Sequence, residues 1–151
     1  MISAKPSQPP VTRGKTIQLS YDPDEEIVEV AFPPEAHLVT GQEIDAHFDF
    51  MFDWWRRTCG KKVFFLVDYE NFFVDLKQNE HYGTRMRQVM RDAALGVVRY
   101  GGDPLQRTGV RLFSMRNHSR SNLYADREEA LEVIGRLKAG TLTVSDRPRE
   151  R

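Results

Sequence analysis

Asp68, Tyr69, Glu70, Asn71 and Asp75 lie together in KKVFFLVDYENFFVDL, residues 61–76. An aspartate that stops a run of five apolar residues can do one of three things. It can hold a divalent cation, provided further acids converge on it. It can accept a phosphoryl group, which needs an acidic pair near the first strand and a later lysine. Or it can close the turn, its oxygens accepting from the amides of Glu70 or Asn71, as Asp and Asn side chains do routinely. The layout does not meet the phosphoryl requirement. For a cation, the chain offers only Gly102-Asp103-Pro104 downstream, followed by Arg107 and Arg111. The turn-closing role is the expectation, with no metal and no cofactor.

The remaining chemistry-bearing residues are scattered. His37, His47, His81 and His118 stand alone, and no Cys or His pair has zinc spacing. Each histidine reads as a surface or satisfied residue. The single Cys59 excludes an internal disulfide and fits a reducing compartment. Gly101-Gly102 is a turn, since the pattern of a phosphate-binding loop is absent.

A chain of 151 residues suits one domain. Its net charge is zero, yet the charges are sorted. From Thr16 to Trp55 there are ten acids and no Lys or Arg; from Arg85 to Arg120 there are eight arginines against Asp92 and Asp103. Such sorting either marks an anionic partner's surface or means that the two halves face each other within one fold or across a dimer. The arginines are spread over several elements, which favours the second, so nucleic acid is not expected as a partner. MISAKPSQPPVTRGK at the N-terminus lacks the apolar core of a signal peptide. No run approaches the ~20 apolar residues of a membrane span. The expected location is cytoplasmic.

Local patterns predict the elements that must position these residues. Residues 1–15 are Pro- and Ser-rich and read as a disordered arm. Ile17, Leu19, Tyr21 and then Val28, Val30, Phe32 alternate with polar residues around Asp-Pro-Asp, which predicts a β-hairpin. Thr40 to Glu43 has the capping-box form and opens a helix over 41–57, with Ile44, Phe48, Met51 and Trp55 inward. Val63–Val67 reads as a strand covered on both faces. Tyr82, Met86, Val89 and Ala93 mark a second helix, Leu95–Tyr100 a strand, and Thr108–Met115 another. Asp126 caps a last helix through Lys138, with Ala130, Leu131, Ile134 and Leu137 inward, and residues 139–151 form a polar tail. The order β-β-α-β-α-β-β-α predicts a single-domain α/β fold over 16–138, a mixed sheet with helices packed on it.

In this order the chain resembles the STAS-like domains, especially the SpoIIAA-like branch of anti-sigma factor antagonists. The resemblance is carried by VFFLVDY at 63–69 after a hairpin and helix, by GVVRYGGD at 96–103 with RTGVRLF at 107–113, and by SNLYADREEALEVI at 121–134. It implies a non-catalytic module that binds a protein partner or a small ligand. Regulatory members carry a phosphorylated Ser or Thr in the loop after the buried strand. Here Leu76 stands at that position, and residues 69–78 contain no Ser or Thr. A second string, VDYENF, is similar to the first motif of NYN/PIN-type metal-dependent ribonucleases, which would place Asp68 and Asn71 at a metal site. The preceding hairpin and helix displace it from its usual place near the start of that fold.

The residues expected to meet a partner or ligand are therefore Asp68, Tyr69, Glu70, Asn71 and Asp75. Phe50 and Trp54 fall roughly 90–130° off the inward direction of the first helix. They would be covered by the chain's own ends or by a second copy, and a homodimer is the expectation.

Overall fold

The computed structural model describes residues 10–102, 107–108, 111 and 122–140. The hairpin forms as expected, with β2 (Gln18–Asp22) antiparallel to β3 (Ile27–Ala31). Asp22 Oδ1 accepts from the amides of Asp24 and Glu25 at 3.0 and 3.2 Å, which starts the turn. Before it lies β1 (Thr12–Arg13), antiparallel to β2. After it come α1 (Gly41–Thr58), β4 (Val63–Asp68), a 3-10 turn (Leu76–Gln78), α2 (Asn79–Asp92), β5 (Ala94–Tyr100), β6 (Leu123–Tyr124) and α3 (Arg127–Lys138). The six strands run in chain order across one mixed sheet, and β3 to β6 are parallel.

β4 sits inside this sheet with a helical layer on each face. Side chains alternate across a strand. Val63, Phe65 and Val67 therefore join the core beneath α1 and α2, while Phe64 and Leu66 join the core beneath α3. The continuous apolar run is a consequence of that double burial. Both capping residues act as expected: Thr40 forms the full capping box with Glu43, and Asp126 accepts from the amide of Glu129.

Several expectations need correction. The fold begins inside the arm read as disordered, because Thr12 and Arg13 pair with Leu19 and Gln18. That arm also decides the fate of the off-axis aromatics. Trp54 is 4% exposed, and its indole N–H donates to Thr12 Oγ1 at 3.2 Å. A Cβ added at Gly14 would lie 2.8 Å from the Phe50 ring, so the arm passes directly over it. The chain's own arm buries Trp54 and lies against Phe50, which is part-buried. Trp55, expected inside, is only part-buried and hydrogen-bonds to the Lys61 carbonyl. The strand expected over Thr108–Met115 is not formed where it is described: Arg107, Thr108 and Arg111 are helical. The place beside β5 is taken instead by β6, and most of residues 109–121 lie outside the described residues, as do 1–9 and the 141–151 tail.

At one place the sorted charges meet within the fold. Arg85 on α2 bridges Asp45 and Asp49 on α1 at 2.8 and 2.7 Å, its plane over the Phe48 ring. Arg91 pairs with Asp92, and Arg127 grips Glu29 through two hydrogen bonds. His47 is buried on α1, stacked on Phe32 and 2.9 Å from Thr16 Oγ1.

Burial, helped by the nearby Arg85 charge, lowers the pKa of His47 to about 4. Below its ordinary pKa the unfolded chain gains a proton that the folded chain refuses. The stability is complete above pH ~6.5 and is lost as pH falls toward about 4, by ~3 kcal/mol in all. Urea unfolding across this range should show that decline, and His47→Phe should flatten it. An equally steep decline in the variant would assign it to other groups.

Candidate functional site

The mouth of the parallel sheet is formed where β3, β4 and β5 end, and the loop 69–78 crosses it. Asp68, the last residue of β4, directs Oδ1 to the amide of Glu70 at 2.9 Å. This is the turn-closing bond expected from the sequence. The chain turns here beside Gly101, which has φ +80°; a Cβ there would lie 3.2 Å from Asp68 Oδ1. Glycine lets β5 end against the carboxylate.

The alternation of β4 continues past Asp68. Tyr69 therefore points under α1 and α2 and is only 3% exposed, not presented outward as its polar neighbours suggest. Its hydroxyl accepts from Arg99 Nε at 2.9 Å, and its ring stacks on Phe72 at 4.3 Å. Tyr82 is buried and hydrogen-bonded to Tyr69, and its hydroxyl is held well above the ordinary tyrosine pKa, chiefly by burial. Between this cluster and His47 lies a cavity of about 30 Å³, also lined by Phe32 and Val67. That is space on the scale of a water molecule, not of an organic ligand.

Glu70 and Asn71 are exposed. Asn71 takes a left-handed backbone, φ +66°, which asparagine tolerates better than most residues. Its side-chain amide donates to the Phe32 carbonyl at 3.3 Å, tying the loop to the end of β3. Further on, Val74 bridges Leu38, the Leu38 amide donates to the Phe73 carbonyl, and the Asp75 amide donates to the Leu38 carbonyl. Asp75 is half-buried and caps the 3-10 turn through the Lys77 amide at 2.9 Å. Of the five expected residues, Asp68, Asn71 and Asp75 are engaged in holding the loop, Tyr69 anchors it from below, and Glu70 is free at the surface in its side chain.

Two exposed apolar residues on this loop were not among the residues expected to meet a partner. Phe73 is 47% and Leu76 78% exposed. The available signal was their spacing: apolar residues that match neither the alternation of β4 nor the repeat of α2.

Asp103, the downstream acid that the sequence offers for a cation, lies outside the described residues. Among the described residues, no three His, Cys, Asp or Glu side chains are grouped so as to hold a metal ion. The Asn71 NH2 donates to the Phe32 carbonyl, and Asp68 Oδ1 accepts from the Glu70 amide. Glu29 is nearby but paired with Arg127. Burial raises the pKa of Asp68, with Glu70 and Glu29 adding to it and the Glu70 amide opposing. The same surroundings, burial first and then Asp68 and Glu29, push the Tyr100 hydroxyl up to about 12.

A raised carboxyl pKa means that the folded state holds its proton more tightly than the unfolded state. Stability from this group therefore falls as pH rises from ~3.9 through the folded pKa. Asp68→Asn keeps an oxygen to accept from Glu70 and removes the charge. The variant should match the parent at low pH and exceed it at neutral pH in thermal unfolding. A variant less stable at neutral pH would show that the charge is needed.

No helix among the described residues is long and apolar enough to cross a membrane. Comparison of the chain with family models, with curated proteins and with solved structures finds no match.

Proposed function

We propose that the chain is a non-catalytic binding module of the kind implied by its resemblance to SpoIIAA-like STAS domains, acting by protein contact through the 69–78 loop. The observation that carries this reading is the pair Phe73 and Leu76: apolar side chains left in water on a loop otherwise tied down at both ends. Holding such residues in fixed positions lowers the ordering cost that binding would otherwise incur. Aromatic and aliphatic residues of this sort commonly anchor an interface. The cavity described beneath the loop is on the scale of a water molecule and is not itself a site for an organic ligand.

The resemblance puts a phosphorylatable hydroxyl where Leu76 stands. A leucine there makes contact constitutive: the loop has no Ser or Thr through which a kinase could switch it. Loops at the C-terminal ends of parallel strands are where ligands and partners gather in α/β sheets, which is the fold-level analogy behind the same choice.

A photo-crosslinking residue at position 73 should yield discrete protein adducts in cells of the source organism. The same residue at position 87, on the exposed side of α2, should not. In parallel, single-stranded RNA with Mn²⁺ should be cleaved no faster by the parent than by Asp68→Ala. Cleavage that disappears in Asp68→Ala would replace this reading with the NYN/PIN-type nuclease.

A further inference from the structure

We infer that this docking face takes a polypeptide segment whose apolar residues are flanked by lysines or arginines. The inference rests on the contact role proposed for the loop and adds the chemistry of the partner.

The bridge between Leu38 and Val74 lays residues 36–39 alongside the loop, and His37 packs on the Phe73 ring at 4.9 Å. Val39, itself 43% exposed, extends the apolar surface. In the two described segments that form it, the charge is one-sided. Within residues 33–43 and 69–80, Glu35, Glu43, Glu70, Asp75 and Glu80 stand against Lys77 alone, with no arginine. Glu43 is fixed beside the patch, accepting from the amides of Val39 and Thr40 at 3.1 and 3.0 Å. Those bonds, the Val39 amide first, hold its carboxyl below the usual range and keep it charged.

An apolar surface inside an acidic rim selects its occupant by exclusion. Nucleic acid and an anionic membrane would bring like charge to the rim. An isologous pair of this chain would set the same acidic rim against itself, which costs free energy. A segment with an apolar face and basic flanks covers Phe73, Leu76 and Val39 while supplying the opposite charge. Such complementarity acts within about 8 Å at physiological salt.

The probes are three fluorescent amphipathic peptides, built from Leu and Lys, from Leu and Glu, and from Ser and Lys, titrated with the full chain and monitored by anisotropy. The Leu/Lys peptide should bind saturably and weaken with added salt, and the other two should not bind. Phe73→Ser/Leu76→Ser changes only exposed positions and should weaken the Leu/Lys peptide about tenfold or more. Circular dichroism checks that this variant is folded. No saturable binding of the Leu/Lys peptide overturns the inference, while the contact reading is still judged by the crosslink at position 73. Binding of the Leu/Glu peptide that the double variant abolishes keeps the contact reading and overturns the partner's charge. Equal binding of the Leu/Lys peptide by parent and variant overturns both. A dimer in sedimentation equilibrium that the double variant dissociates assigns the face to a second copy and overturns the inference.

Discussion

The architecture depends on the burial of β4 on both faces. A strand with one wet face could be flanked by a hairpin and left there. Val63 to Val67 has no polar position to turn to water, so a layer must cover each side. α1 and α2 supply one layer and α3 the other, and the parallel connections that place them there bring the ends of β3, β4 and β5 to a common edge. Asp68 is the first residue of β4 that is not buried, and it stands where both layers end.

The loop that leaves this edge has little freedom. Tyr69 is drawn into the core by the last step of the strand's alternation and bonded to Arg99. Asn71 and Asp75 supply local hydrogen bonds, and the Leu38–Val74 bridge adds a non-local one. Each polar group in this set satisfies another, as a buried or half-buried polar cluster requires. The consequence is that Phe73 and Leu76 are presented by a framework that has already lost its conformational entropy. The acidic surroundings then act on whatever approaches. Function in this account lies in surface chemistry on a fixed loop, and Asp68 contributes by shaping the turn.

Features with a local cause could be read from the sequence. The hairpin arises from two alternating triplets around Asp-Pro-Asp, the helix starts from Thr40 and Asp126, and the double burial of β4 from its apolar run. The Asp68–Glu70 bond belongs to the same class, since a side chain and an amide two residues apart make it. Features set by distant partners could not be read. β1 is two residues long and is held by Trp54, 42 residues away in sequence, through Thr12. The apolar stripe of α1 is wide enough that periodicity alone assigned Trp55 inward and Trp54 outward, and the arm reversed that choice. Likewise, the partner of Asn71 is the carbonyl of Phe32, just past the end of β3 and 39 residues away in sequence. β6 beside β5 was also not legible, because two residues of pairing carry too little pattern to stand out in the sequence.

The central claim is that the 69–78 loop is ordered before any partner arrives. Backbone ¹⁵N relaxation measures this directly on the free chain. The account predicts order parameters near ~0.85 for the amides of Phe72, Asp75 and Gln78, equal to those of α1 and α2. These amides donate to Tyr69, Leu38 and Asp75 respectively. Values below ~0.6 across the loop would contradict it. The bonds around Asp68, Asn71 and Asp75 would then not be holding a platform.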